Sequence, residues 1–424
     1  MKLASYWLDT APPFVAGAAG DVGGRADVVV IGGGFTGLSA ALALARRGAA
    51  VVVLESGRVA GEASGRNGGQ CNNGLAHDFG GLAGRLGRER ARALYRAHTD
   101  AVDSVERVVR EEAIACDFHR RGRLKLAAKP AHAEHLARAA EVLQAEVDPS
   151  VRFIPGDQLK GEIASSKFHA GLLQPSSAQL NPGKLGAGLA EAAARRGVRI
   201  YENAAVTRIE RTGTGHRVVS ARGSIEAAEV LIATGASTHG PFGWFRRRIV
   251  PVGSFIVVTE PLPAAQLDRL LPTRRGYVTS KNVGNYFRAT EENRLLFGGR
   301  ARFAMSNPTS DRKSGDVLRA TLAQVFPELA KVGIDYCWGG LVDMTADRLP
   351  RAGRKDGLHY AMGFSGHGVQ MSVHMGQIMA EVLTGRPEAN PLQGLGWPAV
   401  PGHFGKPWFL PFVGAYYRLQ DVLH

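Results

Sequence analysis

A glycine-rich turn near the N-terminus constrains the fold of this chain more than any other feature. Gly32, Gly34 and Gly37 come directly after the β-branched run 27–31, which is typical of a buried parallel strand, and before an apolar pattern of helical period. Gly32 permits a tight turn, Gly34 lets the backbone approach a pyrophosphate, and Gly37 lets the helix pack closely on the strand. The turn therefore predicts a βαβ unit of Rossmann type that binds a dinucleotide.

An acidic residue closes the second strand of this unit. Glu55 follows the apolar run 51–54, about 20 residues beyond the glycines, where a carboxylate can bind the ribose hydroxyls. The same negative charge disfavours NADP, whose extra phosphate it would repel. Phe35 and Thr36 begin the helix, and their amides are expected to face the pyrophosphate.

Three further segments favour FAD over NAD as the dinucleotide. The loop 64–70 follows the second strand, where NAD enzymes usually have an ordinary helix. The strand 230–236 ends in small residues, which let the chain pass close to the dinucleotide. The glycine-rich turn 363–370 opens a C-terminal helix and can present amides to the anionic end of a reduced flavin.

The length and charge of the chain set broad limits on its class. Its 424 residues exceed what one simple core usually holds, so we expect two interleaved domains. The formal net charge of +14 is dispersed in short arginine clusters, which favours a solvated surface over a nucleic-acid site. The cysteines and histidines show no disulfide or metal-ligand spacing, and no run is long and apolar enough to span a membrane. A cytoplasmic protein fits these features.

The order of the predicted elements indicates how the domains are connected. We expect an α/β fold in which a discontinuous Rossmann-type FAD-binding domain is interrupted by a substrate domain of mixed β-sheet and helices. The predicted boundaries give residues 1–85, 150–240 and 336–424 to the cofactor domain, and residues 86–149 and 241–335 to the substrate domain.

The two ends of the chain have distinct patterns. Residues 1–25 are interpreted as an extended arm followed by a Gly/Ala linker. The aromatic, proline-containing stretch 404–417 is expected to pack against the cofactor domain, with docking to a membrane or a redox partner as the alternative.

Together these segments resemble the D-amino-acid-oxidase-like (DAO) superfamily of FAD enzymes, and the likeness covers nearly the whole chain. It includes the stretch 338–350, which precedes the C-terminal glycine turn. The arm 5–10, the loop 66–70 and the ending 406–409 are most similar to γ-glutamylputrescine oxidoreductase-type members. The resemblance implies an enzyme that uses FAD to oxidise a C–N bond of an amine.

By this resemblance, separate groups of residues hold the two halves of FAD. They are Gly32, Gly34, Gly37 and Glu55 at the ADP half; Ser64, Arg66, Asn67 and Gly68 along the flavin; Val206 at the adenine; Ala233, Thr234 and Gly235 along the dinucleotide; and Gly366, His367, Gly368 and Val369 beside the flavin ring.

The chain departs from its relatives where they bind the substrate. Glycine and D-amino-acid oxidases place an arginine after a Trp-x-Gly-Leu stretch to hold the substrate carboxylate. Val342 occupies that position here and Asp343 follows it, so an amino acid loses its main anchor while a cationic amine gains a partner. This departure favours an amine as the substrate, although Asp343 also fits a purely structural hydrogen-bonding role.

Further departures concern the attachment of FAD and the electron acceptor. Sarcosine-oxidase-type relatives attach FAD through a cysteine at the position of Gly340, and dimethylglycine-dehydrogenase-type relatives attach it through a histidine near Arg66 or Asn67. Neither anchor is present, so a non-covalent FAD is expected. Leu296 stands where oxidases have a lysine that promotes reaction with oxygen, which leaves oxygen or another acceptor open.

Besides Asp343, five side chains are candidates for catalysis and substrate binding. His367 should lie beside the flavin and can handle a proton, while Gln70 and Asn67 can position the substrate or the flavin carbonyls. Tyr286 and Arg288 lie on a strand that relatives use for the substrate face, and Arg288 can pair with a carboxylate. Structural roles in their loops are open alternatives for His367, Gln70 and Asn67, and an exposed position on the strand is the alternative for Arg288.

Three functions are compatible with these observations. The leading one is oxidation of γ-glutamylputrescine or a related amine by hydride transfer to flavin N5, after which water hydrolyses the imine to an aldehyde. The second is a dehydrogenase that acts on secondary amines or D-amino acids and passes electrons to a quinone. The third is an FAD-containing protein that binds nucleic acid or another partner, which only the net charge supports. The oligomeric state is left open.

Overall fold

The computed structural model describes residues 1–423 and contains two eight-stranded sheets with helices packed on them. The strands are β1 (Arg25–Ile31), β2 (Val51–Leu54), β3 (Gln70–Cys71), β4 (Arg123–Leu126), β5 (Arg152–Pro155), β6 (Ala170–Gln174), β7 (Ala178–Gln179), β8 (Arg199–Tyr201), β9 (Val206–Thr212), β10 (Gly215–Ser220), β11 (Gly223–Ile232), β12 (Val250–Thr259), β13 (Gly276–Thr279), β14 (Asn285–Ala289), β15 (Leu295–Gly299), β16 (Ile334–Met344), β17 (Arg351–Lys355) and β18 (Leu358–Met362). The helices are α1 (Tyr6–Thr10), α2 (Phe35–Ala45), α3 (Ala63–Arg66), α4 (Phe79–Leu86), α5 (Arg88–Glu111), α6 (Pro130–Glu146), α7 (Pro182–Arg195), α8 (Gly243–Arg246), α9 (Ala264–Leu270), α10 (Pro308–Val325), α11 (Gly368–Leu383) and α12 (Leu410–Leu423).

The first sheet contains the predicted βαβ unit. Its main strands lie in the order β17-β18-β11-β1-β2-β8, and β1 pairs in parallel with both β2 and β11. The centre of the sheet is completely buried at Val29, Val30, Val52 and Val53. Other helices and strands cover both faces of the parallel sheet there. The Rossmann-type fold expected from the glycine turn is confirmed.

The second sheet is mixed and has its own core. Its strands lie in the order β16-β12-β15-β14-β13-β4-β6-β5, with one parallel pair between β13 and β4. On one face, the rings of Tyr277, Phe287 and Phe297 stack in sequence, with centroids 5.1 and 5.5 Å apart. The helix α10 covers this side through Leu318 and Leu322.

The strand pairing moves two of the predicted domain boundaries. Residues 150–240 and 336–424 were assigned to the cofactor domain, yet β5, β6 and most of β16 pair in the second sheet. Alternation of apolar and polar residues predicts that a segment is a strand but not which sheet it joins, so the sequence pattern could not place these strands.

The N-terminal arm is partly helical, which corrects the extended arm expected from the sequence. The short helix α1 turns Tyr6 and Trp7 inward, and both rings are almost completely buried. Ahead of the helix, Lys2 forms an isolated bridge with Tyr336 of β16. The arm therefore packs across the junction of the two sheets.

The C-terminal segment packs differently from the expectation. Leu410 and Gly414 of α12 are buried, but they contact Phe303, in the loop after β15, and the start of β12 rather than the first sheet. The opposite side of the helix faces solvent. The prediction that this stretch packs against the cofactor domain is wrong.

Residues 1–423 contain neither a membrane-spanning helix nor a cluster of metal ligands. Among the helices in this range, none combines the length and the apolar character needed to cross a bilayer. Over the same residues, no three His, Cys, Asp or Glu side chains gather in a way that would hold a metal ion. The thiols of Cys71, Cys116 and Cys337 are free and buried.

Candidate functional site

The glycine turn between β1 and α2 leaves no room for side chains. Gly32 has a φ of +112°, and a Cβ atom there would lie 2.5 Å from the carbonyl oxygen of Ala233. A Cβ on Gly37 would lie only 1.9 Å from the carbonyl oxygen of Gly32. Glycine is therefore required at both positions, once for the backbone conformation and once for the close packing of helix and strand.

Two polar side chains brace this turn. Glu55 accepts hydrogen bonds from the amides of Gly33 at 2.7 Å and Gly57 at 2.8 Å. Ser64 accepts one from the amide of Phe35 at 3.0 Å, so the loop after β2 reaches the first turn of α2. The side chains of Phe35 and Thr36 are buried, which leaves only their backbone for a cofactor.

The end of β11 meets the same turn. Ala233 donates its amide to the carbonyl of Ile31 at 2.8 Å, which places residues 233–235 directly beside the glycine turn. The hydroxyl of Thr234 is buried and has no hydrogen-bond partner within the described residues. Val206 begins β9 close to Glu55, because the amide of Ala204 donates to the Glu55 carbonyl at 2.7 Å. An unpaired buried hydroxyl beside a turn without side chains fits a bound dinucleotide.

The loop 64–70 is held by two indoles from distant parts of the chain. Trp7 donates its Nε1–H to the carbonyl of Asn67 at 2.8 Å, and Trp338 donates its own to the carbonyl of Arg66 at 2.9 Å. The Arg66 guanidinium bonds the carbonyls of Gly61 and Gly339. The predicted flavin loop is thus fixed in place between the two sheets.

Strand register shows which side chains of the second sheet face this loop. Lys125 on β4 is aligned with Val278, Val278 with Tyr286, and Tyr286 with Gly298 on β15. Side chains that are directly paired across strands point to the same face. The ring of Tyr286 lies against Gly68, where an added Cβ would be 2.7 Å from it. The face that carries Lys125 and Tyr286 is therefore the one turned toward the flavin loop.

Three of the predicted substrate or catalytic residues have structural contacts instead. Arg288 is buried, and it bonds the carbonyls of Gly68 at 2.8 Å and Leu180 at 2.6 Å. Asn67 bonds three backbone groups inside its own loop, and the Gln70 amide lies 3.3 to 3.4 Å from carbonyls of β13 and β14. These contacts favour a role in holding the loop for Arg288, Asn67 and Gln70, and their roles in chemistry stay predictions.

Asp343 also has a structural position. Its carboxylate accepts a hydrogen bond from the amide of Gly363 at 2.6 Å and lies beside Gly235. Burial raises the pKa of Asp343 to about 6, although hydrogen bonds from the 363–365 turn oppose this shift. Asp343 therefore connects β16 to the glycine-rich turn, as its structural alternative expects, and its contact with a cationic amine stays a prediction.

The turn at 363–369 presents His367 to the space between the sheets. Gly366 has a φ of +94° with nothing within 4 Å of an added Cβ, while Gly368 and Val369 begin α11. Burial lowers the pKa of His367 well below its ordinary value, and the nearby His98, 6.0 Å away between ring centroids, lowers it further. The His367 Nδ1 has no hydrogen-bond partner within residues 1–423. A neutral imidazole with a free nitrogen can accept a proton or a hydrogen bond from a ligand.

Cationic side chains around His367 were not predicted from the sequence. Repulsion from Arg123, Arg348 and Arg300 contributes to the lowered pKa of His367, and burial lowers the pKa of Lys125 to about 8. In the part of the chain that the structure describes, neither Lys125, Arg300 nor Arg348 forms an ion pair within 4 Å. The sequence of β4 held a signal for these cations, because charged and apolar residues alternate in it and Arg123 and Lys125 fall on one face. A partly buried strand rarely carries two cations on one face, so the pair indicates a site.

Comparisons with known proteins agree with this site. The family model for FAD-dependent oxidoreductases, DAO, matches residues 27–382. Gamma-glutamylputrescine oxidoreductase of Escherichia coli K12 is 32% identical over 403 residues, covering 94% of this chain and 93% of that protein. A probable oxidoreductase, OrdL, of Haemophilus influenzae is 32% identical over 389 residues, covering 89% of this chain and 88% of that protein.

A solved structure has the same fold. Glycine oxidase from Geobacillus kaustophilus superimposes with a TM-score of 0.72 at 22% identity, covering 88% of this chain and 100% of that one. The family model spans both sheets, and the glycine turn, the unpaired Thr234 hydroxyl and the braced loop fit FAD. This chain belongs to the DAO family of FAD-dependent oxidoreductases.

Proposed function

We propose that this enzyme oxidises a C–N bond of an amine that also carries a carboxylate, with γ-glutamylputrescine or a related amine as the leading substrate. The observation that carries the proposal is the position of His367, a neutral imidazole among unpaired cations at the predicted flavin face. The similarity to gamma-glutamylputrescine oxidoreductase supports the same substrate class. Catalysis is favoured over a binding role because the family consists of oxidoreductases.

Non-covalent attachment of FAD is part of the proposal. Cys337 directs its sulfur to the carbonyl of Asp311 in α10 at 3.2 Å, on the side of β16 away from the flavin loop. Gly340 lies on the loop side, where an added Cβ would be 3.1 Å from the Cβ of Arg66. Gly340 and, at the second anchor, Arg66 or Asn67 occupy the positions matched to the covalent anchors of relatives, and none of these residues forms a flavin bond.

The chain's own groups prepare the amine for oxidation. When bound, FAD supplies the acceptor for a hydride from the carbon next to the nitrogen. The uncharged His367 can accept a hydrogen bond from the substrate amine, and the cations around it favour the neutral form of that amine, which is the form that can give up a hydride. Tyr286 closes the pocket against Gly68, with its hydroxyl 3.1 Å from that of Ser254. The product imine leaves to be hydrolysed to an aldehyde.

Cationic side chains on the second sheet take the place of the arginine with which amino-acid oxidases bind the substrate carboxylate. Val342 cannot hold an anion, and Arg288 is occupied by backbone carbonyls. Lys125 lies on the same sheet face as Tyr286, two strands away, which corresponds to about 10 Å. We assign the substrate carboxylate to Lys125 and Arg300, which leaves the amine free to approach His367.

The electron acceptor is oxygen or a quinone. Leu296, at the position matched to the oxygen-activating lysine, is completely buried among Tyr6, Trp7 and Trp338. Position 296 therefore supplies no cation near the reduced flavin to promote its reaction with oxygen. For this reason the quinone-linked dehydrogenase is the second candidate. A cytoplasmic location completes the proposal.

Anaerobic reduction of the purified yellow enzyme tests the substrate class. γ-Glutamylputrescine or another carboxylate-bearing amine should bleach the flavin, whereas amines without a carboxylate should do so only at much higher concentration. The Lys125→Met variant should raise the KM of the carboxylate-bearing amine by roughly tenfold, the loss expected for one partly buried ion pair. The matched control, Lys167→Met, removes an exposed lysine outside β4 and should leave the KM unchanged.

Other outcomes would overturn the proposal. Bleaching by glycine or D-alanine, but by neither γ-glutamylated nor free diamines, would exclude the substrate assignment. Equal KM values for Lys125→Met and the parent enzyme would exclude the carboxylate contact. Peroxide formation under air, measured in the same preparation, distinguishes the oxidase from the quinone-linked dehydrogenase.

A further inference from the structure

The outward side of the C-terminal helix α12 is apolar along its whole length. Phe412 is 70% exposed and Val422 is 77% exposed, which is unusual for large apolar side chains. Positions 412, 416, 419 and 423 are spaced by four, three and four residues, so they form one stripe on the helix. The exposed apolar members, including two that precede the helix, are Phe404, Trp408, Phe412, Tyr416, Leu419, Val422 and Leu423.

The orientation of the helix is fixed by its other side. Gly414 packs under the ring of Phe303, and Tyr417 stacks on the same ring with centroids 5.9 Å apart. Asp421 accepts hydrogen bonds from the amides of Asn282 at 2.7 Å and Val283 at 2.8 Å. Because these contacts hold the inner side, the apolar stripe stays turned to solvent.

The charges around the stripe have one sign. Asp421 is the sole acidic residue of α12, and its carboxylate is directed inward. The exposed charge on the helix is that of Arg418. Lys406 is exposed just ahead of the helix, and the guanidinium of Arg247 lies 5.4 Å from the ring centre of Phe404. The surface is an apolar stripe with a cationic border.

We propose that this surface, α12 with Phe404 and Trp408, docks the enzyme on an anionic lipid bilayer. Aromatic and aliphatic side chains with Lys and Arg at their border are the composition of helices that lie in the plane of a membrane surface. The chain's net charge of +14 adds long-range attraction to anionic headgroups. A second copy of the chain is disfavoured as the occupant, because it would bring the same cationic border into contact with itself.

This docking is independent of the proposed substrate. It places the enzyme at the surface where lipid-soluble quinones reside, and a quinone is one of the two proposed electron acceptors. The helix lies on the surface and does not span it, in agreement with its length of 14 residues.

Vesicle co-sedimentation of the full chain with bound FAD tests the proposal. Vesicles with about 30% phosphatidylglycerol should bind the protein, pure phosphatidylcholine vesicles should bind it much more weakly, and added salt should release it. The triple variant Phe412→Ser, Tyr416→Ser and Leu419→Ser should bind roughly tenfold more weakly, since it removes three side chains that enter the interface. The control Val142→Ser and Val317→Ser removes exposed apolar side chains of α6 and α10 and should bind like the parent.

Folding and occupant are checked in the same preparations. The three substituted side chains are exposed, so the triple variant should retain its FAD and its unfolding temperature. No binding of the parent enzyme to anionic vesicles at about 50 mM salt would overturn the proposal. Equal binding by the triple variant would also overturn it. So would a concentration-dependent dimer in sedimentation that the triple variant abolishes, because the stripe would then be a self-interface.

Discussion

The cofactor turn and the facing sheet are built in opposite ways. At the turn, Gly32, Gly34 and Gly37 contribute by having no side chain, and the nearest neighbours of Gly32 and Gly37 are backbone carbonyl oxygens. On the second sheet, Lys125 and Tyr286 contribute their side chains, which reach the site only because four strands are paired in one register. A backbone site depends on a few neighbouring residues, whereas a side-chain site depends on the whole sheet.

The largest effect is expected at the turn. Gly37→Ala places a Cβ 1.9 Å from the Gly32 carbonyl oxygen, so the helix or the strand must move. Overpacking of this kind costs on the order of 3 kcal/mol, and we expect the purified variant to lose most of its FAD. Flavin absorbance per protein measures this. Gly84→Ala, where an added Cβ has open space, is the control, and equal FAD loss there would contradict the argument.

A substitution on the second sheet should act through the loop and not through the substrate. Arg288→Met leaves the carbonyls of Gly68 and Leu180 without their donors, at a cost of about 3 kcal/mol in the free energy of unfolding. Denaturant unfolding measures the cost. The KM of a carboxylate-bearing amine should change less than it does in Lys125→Met. A larger KM effect in Arg288→Met would restore Arg288 as the substrate contact.

Acid should lower the free energy of unfolding through two buried histidines that lie between the two regions. Burial lowers the pKa of both His98 and His374 to about 4, so the folded state excludes protons that the unfolded state binds. Their effect is absent above pH 6.5 and grows as the pH falls toward 4, reaching about 3 kcal/mol for each residue. Unfolding free energies between pH 7 and 4.5 should therefore fall less steeply in His98→Gln. An unchanged slope in that variant would contradict the assignment.

The smallest effect is expected where the two regions are joined. Asp343→Asn keeps an oxygen to accept the hydrogen bond from the Gly363 amide, so FAD content should be retained and the KM should change by less than about threefold. Asp343→Ala removes that acceptor and should release FAD. A rise in KM of more than about tenfold in Asp343→Asn would instead indicate direct contact with a cationic amine.

The sequence was informative where function depends on local backbone. The glycine turn, Glu55 and the start of α11 could each be predicted from residues that are close together in the chain, and the structure has Glu55 bonded to the turn and α11 beginning at Gly368. The second sheet could not be predicted in the same way, because strand alternation leaves pairing partners open. The backbone contacts of Arg288 were therefore not foreseen, and Lys125 was missed although its strand carries two cations.

The bridge between Lys2 and Tyr336 has a consequence for synthesis of the enzyme. The N-terminal arm leaves the ribosome first, yet its partners on β14 and β16 are made after more than half of the chain. Trp7 and Trp338 hold the flavin loop from these two distant segments, so the loop has only part of its support until translation is nearly finished. The nascent chain therefore completes its FAD site late, and a truncated product that lacks β16 is expected to remain colourless.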